Sequence, residues 1–171
     1  MAMSAEDVIH LYDELEGAGV PFWFDGGWGV DALLGSQSRK HKDLDIVIEQ
    51  RHLAAALTYL GSQGFVDAPS EDRRDWNFVM AHEDGRVIDF HVIVFDEAGN
   101  GIYGPAENGD AYPASGFTDI GNITGRNVRC LSAAYQVLSH DSGYELAEKD
   151  LADVRALCAA FDLPLPPRFR T

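Results

Sequence analysis

Two aspartates one residue apart, Asp43 and Asp45, stand in the apolar run "DLDIVIE", and a third, Asp89, stands in "RVIDFHVIVF" two residues before His91. Strand side chains alternate between faces, so Asp43 and Asp45 share one face, as do Asp89 and His91, while Leu44, Ile46, Ile88, Phe90 and Val92 point the other way. If the two strands are neighbours, three carboxylates converge. Two such charges about 4 Å apart repel by roughly 4 kcal/mol at an effective dielectric of ~20. A bound cation relieves that repulsion, and so does protonation of one group. Hard oxygen ligands at strand ends suit Mg²⁺, which takes one or two carboxylates together with substrate phosphates. Read alone, D-x-D has a plainer meaning, with Asp43 capping the strand and Asp45 paired with Arg39 or Lys42. The plainer meaning of Asp89 is a hydrogen-bonded structural acid.

Upstream, "DGGWG" joins a strand to a short helix. Gly26 and Gly27 lack Cβ atoms, so their backbone amides can approach a ligand closely, and the free N–H groups at a helix start favour an anion such as phosphate. An ordinary tight turn has the same composition, and the segment is neither a Walker A loop nor a G-x-G-x-x-G fingerprint. Arg39 and His41 precede the aspartates at alternating spacing. If that segment is extended, both project to the side of the acids, where Arg39 suits an anion; in a loop they are solvated charges. Lys149, in "YELAEKD", is a cation reaching the same site from the last helices or a solvated helix lysine. Asp31 contacts substrate or nucleotide, or is a capping group. His91 assists Asp89 or touches substrate, or is a structural histidine. Trp23, Trp28 and Trp76 read as core, with Trp28 the candidate to face a substrate.

The elements that must hold these groups follow from periodicity and turn residues. Ser4 to Gly17 reads as a helix capped by Ser4 and Asp7, with Val8, Leu11, Tyr12 and Leu15 as its apolar stripe. "GVPFWF" is a short strand, "WGVDALL" a short helix closed by Gly35, "DLDIVIE" a strand and "QRHLAAALTYLGSQG" a helix. "WNFVMAHE" and "RVIDFHVIVF", joined through "DG", form a hairpin. Asp96 to Gly125 is rich in Gly, Asn, Asp and Pro and reads as a long loop, "NVRCL" as a short strand. "SAAYQVLSH" and "YELAEKDLADVRALCAAF" read as helices, the second burying Leu151, Val154, Leu157, Cys158 and Phe161. With no repeat and no linker, the chain reads as a single α/β (α+β) domain over 1–171: a small mixed sheet, flanking helices, and a C-terminal helical part at about 131–163.

Composition narrows the function classes. The 171 residues suit one core, and 46% apolar content excludes disorder. The formal net charge of -15 argues against docking on nucleic acid and favours cationic partners, metal ions or amines. No apolar run approaches a membrane span, and the acidic, helical start is not a signal peptide. Cys130 and Cys158 fit no metal or redox spacing, which points to reduced thiols and a cytoplasmic protein.

A glycine pair, then D-x-D on the next strand, then one Asp on a later strand: this combination resembles the nucleotidyltransferase superfamily typified by DNA polymerase beta. "DGGWGVDALLG", "SRKHKDLDI", "IDFHVIVFDEAGNGIYG" and "CLSAAYQVLSHDSGYELAEKDLADVRAL" are similar, in order and over nearly the whole chain, to the blocks of lincosamide nucleotidyltransferases and the related aminoglycoside adenylyltransferases. The segment from Trp28 to Lys42 is longer than the general superfamily pattern and resembles the antibiotic-modifying branch.

The resemblance implies a Mg²⁺-dependent enzyme that moves a nucleoside monophosphate, AMP from ATP, to a hydroxyl of a small antibiotic-like acceptor and releases pyrophosphate. It implies Asp43 and Asp45 as metal ligands, Asp89 as metal ligand, general base or both, Gly26 and Gly27 as the turn facing the phosphates, and Arg39 and Lys149 as contacts of the triphosphate. The acceptor is expected against the more variable Asp96–Asp119 region and the C-terminal helices, where Asp96, Glu97, Glu107, Asp110 and Asp119 would suit an amine or form a hydrated acidic loop. The implied partners are a nucleoside triphosphate and a small cationic hydroxyl-bearing acceptor, with no nucleic acid and no membrane, and a homodimer as a possible assembly. Two alternatives stay open: an enzyme of a toxin–antitoxin pair that nucleotidylates a protein, and a non-catalytic nucleotide-binding module.

Overall fold

The computed structural model describes residues 3–69, 71–141 and 145–170. In chain order the helices are α1 (Ala5–Gly17), α2 (Gly26–Leu34), α3 (Gln50–Ser62), α4 (Ala133–His140) and α5 (Glu148–Phe161). The strands are β1 (Phe22–Phe24), β2 (Leu44–Glu49), β3 (Val66–Asp67), β4 (Asn77–Ala81), β5 (Val87–Phe95), β6 (Gly101–Tyr103), β7 (Ala111–Tyr112), β8 (Asp119–Ile123) and β9 (Arg126–Cys130). They form one mixed sheet in the order β3-β4-β5-β2-β1-β9-β8, with β6 on β5 and β7 on β6. The α/β reading holds.

Local chemistry sets the elements. Ser4 accepts from the Asp7 amide, and the Asp7 side chain accepts from the Ser4 amide, a capping box that starts α1. Gly35, at φ 71°, closes α2. The β4–β5 hairpin turns through Asp84 and Gly85, with the His82 amide donating to the Arg86 carbonyl at 2.9 Å.

β2 is the centre of the sheet, antiparallel to β1 and parallel to β5. Both of its faces are covered, which is why its apolar run is nearly continuous. Ile46 and Ile48 join Phe22, Phe24, Ile88 and Phe90 in the main core, under Val8, Leu11 and Leu15 of α1. Val47 points the other way and packs with Ile93, Tyr112 and Leu131, bordered by Trp23, Tyr103, Phe117 and Tyr135. A third cluster joins α2, α4 and α5 through Val30, Val137, Val154, Leu157 and Phe169. Each fully buried Leu, Ile or Phe contributes about 1.5–3 kcal/mol.

Four expectations need correction. The segment from Asp96 to Gly125 is not a long loop: it holds β6, β7, β8 and two 3₁₀ turns, at Ala106–Asn108 and Ala114–Phe117. Its glycines and prolines punctuate short strands. The last helix starts at Glu148, and the expected start at Tyr144 lies outside the described residues. Phe161, expected in the buried stripe, is 40% exposed, because the inner face of α5 is shared with Asp150 and Asp153. Finally, two acids suggested for an acceptor are spent on the fold: Asp96 accepts from the Ala98 and Asn100 amides, and Asp119 Oδ2 accepts from the Ala133 amide at 3.1 Å at the start of α4.

The Asp119 bond satisfies one of the orphan donors of a helix start. We therefore expect Asp119→Ala to cost about 1 kcal/mol of stability in chemical denaturation. An unchanged unfolding midpoint would show that this bond does not hold the start of α4.

Candidate active site

Backbone register puts three carboxylates in a row. Asp45 is paired with Asp89 across β2 and β5. Trp23 is opposite Val47 and Phe24 opposite Ile46, so Asp25, one residue beyond β1, comes level with Asp45, and its amide donates to the Asp45 carbonyl at 3.0 Å. By alternation, Asp25, Asp45 and Asp89 share the face that carries Val47 and Ile93. Neighbouring strands lie about 4.8 Å apart, so the middle acid has a like charge on each side. Burial, then the charges of Asp43, Asp25 and Asp89, pushes Asp45 up to about 8. Asp89 is also raised, by burial first and by Asp43 and Asp25, against the opposing pull of His91 and of a hydrogen bond from Asn77. Asn77 Nδ2 donates to Asp89 Oδ1 at 3.1 Å, which fixes that carboxylate's orientation.

Asp45, Asp89 and His91 each offer a ligand atom, and these atoms lie within 4.8 Å of one another. Such a donor set fits a hard divalent cation, since a positive charge there removes the repulsion that raises both acids. Asp43 stands just outside β2, exposed at the rim of the same cavity. The geometry thus puts His91 beside the two paired acids, where the spacing alone had suggested Asp43.

The cavity over this row has a volume of about 520 Å³. Its walls include Asp25, Gly26 and Gly27 on one side and Lys149, Asp150 and Asp153 of α5 on the other, with Arg39 and His41 between. The two glycines are the first two residues of α2, not a turn before it, and Asp25 is the N-cap, its Oδ1 accepting from the Gly26 amide at 2.7 Å. Gly26 has φ 54°, and a Cβ there would overlap Asp45 Oδ2. A Cβ on Gly27 would overlap His41 Nδ1 and come within 2.9 Å of Arg39 Nη2. Only glycine lets the helix start this close to the acids and to the arginine.

Arg39 is fixed from two sides. Nη2 donates to Asp153 at 2.9 Å, and Nη1 donates to His41 Nδ1 at 2.8 Å. Arginine has no acceptor, so His41 Nδ1 carries no proton, and Nε2–H donates to buried Asp31. Asp31 also accepts from the Ser38 amide and hydroxyl. Burial works to raise Asp31, and the bonds from His41 and Ser38 outweigh it, so its carboxyl stays below the ordinary value.

Two candidate substrate residues are therefore corrected. Asp31 is 2% exposed and bonded to His41 and Ser38, so it is an anchor for the arginine and faces no ligand. Trp28 is 1% exposed, in the main core with its ring against His41, because α2 turns that face inward onto the sheet. Gly26, Gly27, Arg39, Lys149, Asp43, Asp45 and His91 all line the cavity, and Asp89 pairs with Asp45 beside it. Sequence reasoning missed Asp25, Asn77 and Asp153. Asp25 enters the row only through the antiparallel register of β1 on β2, and the other two come from segments distant in sequence.

A sequence profile of the aminoglycoside-2''-adenylyltransferase family matches residues 7–157. A lincosamide resistance protein of Staphylococcus haemolyticus is 30% identical over 156 residues, 91% of this chain and 94% of that protein. The structure of the lincosamide antibiotic adenylyltransferase LnuA with lincomycin bound is similar at a TM-score of 0.79 and 29% identity, over 92% of this chain and 98% of that one. ANT(2'')-Ia in complex with adenylyl-2''-tobramycin shares the fold at a TM-score of 0.71 and 21% identity, over 92% of this chain and 88% of that one. Among the described residues no helix is long and apolar enough to cross a membrane.

The raised Asp45 carboxyl has a consequence for stability in the absence of divalent cations. Its folded pKa of about 8 lies above the ordinary 3.8, so the stability it contributes is complete below the unfolded value and is lost as pH rises through the folded one. Metal-free protein should therefore melt at lower temperature as pH goes from 6 to 9, and Asp45→Asn should flatten that dependence. An unchanged slope in Asp45→Asn would show that the row does not carry it.

Proposed function

The chain belongs to the aminoglycoside-2''-adenylyltransferase family and is a nucleotidyltransferase, and from that premise we propose that it moves AMP from ATP to a hydroxyl of a small, amine-bearing, antibiotic-like acceptor of the lincosamide or aminoglycoside class. The observation that carries this reading is the register pairing of Asp45 with Asp89 beside a cavity of about 520 Å³ that also holds a helix start, Arg39 and Lys149. One side of such a cavity suits a polyphosphate and the other a group with a proton to lose.

Asp45 and Asp89, with His91 beside them and Asp43 at the rim, are the residues that would hold Mg²⁺. Bound there, the ion would neutralise charge developing on the phosphoryl oxygens and lower the cost of deprotonating the acceptor hydroxyl. The triphosphate lies against the first turn of α2, where Gly26 and Gly27 admit it and the helix dipole favours its charge. Arg39, held by Asp153 and His41 on the cavity wall, is the guanidinium that would meet the phosphate oxygens. Lys149 adds a second positive charge.

The acceptor oxygen attacks the α-phosphorus, the bond from that phosphorus to the bridging oxygen breaks, and pyrophosphate leaves in line. The hydroxyl proton passes to Asp89. Asn77 occupies Asp89 Oδ1, which leaves Oδ2 for the proton, and the raised pKa makes this carboxylate a stronger base than an ordinary aspartate.

Purified protein with Mg²⁺, each of the four ribonucleoside triphosphates and a panel of lincosamides and aminoglycosides, read by mass spectrometry, tests the reading. The expected product is an acceptor heavier by one AMP; no transfer to any hydroxyl would overturn it. Asp89→Asn should lower kcat by about 10²–10⁴-fold while nucleotide binding stays measurable, and normal turnover would remove Asp89 as the base. Arg39→Ala should raise the KM for ATP and leave the KM for the acceptor nearly unchanged; the opposite split would reassign the arginine.

A further inference from the structure

The segment between α2 and β2, from Gly35 to Asp43, has no strand ladder of its own, and side chains hold it instead. Gln37 Nε2 donates to the Arg39 carbonyl at 2.9 Å, and the Ser38 amide and hydroxyl both donate to Asp31 Oδ1, at 3.0 Å and 2.7 Å. The other oxygen of Asp31, Oδ2, accepts the Nε2–H of His41, and His41 Nδ1 accepts from Arg39 Nη1. One chain of bonds thus runs from Ser38 through Asp31 and His41 to Arg39, and it ends on Asp153 of α5, which accepts from Nη2.

Only one member of this chain is open to a ligand. The Arg39 side chain is 31% exposed on the cavity wall. Asp31 and His41 are buried, and Trp28 lies against the imidazole with ring centroids 4.9 Å apart. Both ring nitrogens of His41 are already bonded. Arg39 Nε is buried with no hydrogen-bond partner among the described residues, so the guanidinium is held through its two Nη atoms alone. Each bond in the chain also has a fixed direction. Ser38 brings two donors to Oδ1, and arginine brings only donors to Nδ1, so Nδ1 is the bare nitrogen and Nε2 carries the proton. Aspartate, with an acceptor on each oxygen, serves Ser38 and Nε2–H at once.

We infer that Asp31 and His41 are positioning residues for the nucleotide: they lock the imidazole in one tautomer, and that tautomer keeps the Arg39 guanidinium on the cavity wall where triphosphate would meet it. The inference rests on the transferase reading above and adds to it the residues that set nucleotide affinity without touching nucleotide. Their effect is preorganisation, since a guanidinium already held loses less freedom when it binds an anion. The same hold extends to the second cation. Lys149 and Asp153 are four apart on α5 and share a face, so the bond from Arg39 to Asp153 also keeps the Lys149 face against the cavity.

Asp31→Asn tests this, because it preserves volume and reverses one bond. Ser38 still needs an acceptor, so the Asn oxygen stays at the Oδ1 position and its NH₂ replaces Oδ2, facing His41 Nε2. The imidazole must then accept at Nε2 and carry its proton on Nδ1, donor against donor with Arg39. Calorimetric titration of a nonhydrolysable ATP analogue with Mg²⁺ should show Asp31→Asn weakened by about tenfold or more. In the Arg39→Ala background Asp31→Asn should add no further loss, a coupling that a merely structural role does not produce. Nitrogen NMR of protein labelled in its histidine rings should find the His41 proton on Nε2 in wild type and on Nδ1 in Asp31→Asn. His41→Asn, which returns an acceptor near the Nδ1 position, should bind the analogue more tightly than His41→Ala, and this pair serves if Asp31→Asn folds poorly. Wild-type affinity in Asp31→Asn, an equal loss with and without Arg39, a wild-type His41 protonated on Nδ1, or His41→Asn no tighter than His41→Ala overturns the inference and leaves the transferase reading standing. If wild type does not bind the analogue at all, both fall.

Discussion

Like charges held together by backbone register are the constraint on which the rest of this structure depends. Asp25, Asp45 and Asp89 come level on three adjacent segments of the sheet because β1 runs antiparallel to β2 and β5 runs parallel to it. The ladders hold the three acids side by side, and the opposite face, with Ile46, Ile88 and Phe90 fully buried, locks the register. A slip of one residue would turn the acids into the main core and the apolar side chains out of it. The middle carboxyl bears the cost, pushed up to about 8. That tension is relieved by cations, and a protein with a formal net charge of -15 attracts them from a distance.

The surroundings of the row divide the work by sign. The cavity carries positive charge at a helix start that only glycine permits, at Lys149 of α5, and at an arginine whose guanidinium is held by Asp153 and by a histidine anchored on Asp31. Outside the cavity lining, Tyr103 stacks on His91, and Tyr112 and Tyr135 pack behind it. Hydrogen bonding explains why buried polar groups are tolerated here: Asp31, His41 and Asp153 are nearly inaccessible, and each is paired.

Much of this was legible in the sequence, for physical reasons that differ from residue to residue. The alternation of "DLDIVIE" and "VIDFHVIV" told which side chains share a face, and the glycine pair told where a backbone must come close. Helix stops were read from Gly35 and the first helix from its capping box. Strand pairing was not legible, because register is a property of two segments; Asp25 joins the row only once β1 is laid against β2. Trp28 and Asp31 were misassigned because α2 is buried on the face they occupy, and nothing in a short helix of mixed apolar residues reveals which face that is. Tyr103 and Tyr112 were hidden in a segment whose glycines and prolines read as loop, although they delimit strands of two and three residues.

The most direct test of the account is a crystal structure with Mn²⁺ and a nonhydrolysable ATP analogue, in which the ion is located by its anomalous scattering. The account predicts an anomalous peak held by Asp45 and Asp89, with the triphosphate running from it to the first turn of α2 and the Arg39 guanidinium. Nucleotide bound in the cavity with no ion on Asp45 or Asp89, or an ion seated away from both, would contradict the claim that a cation is what makes this row of acids tolerable.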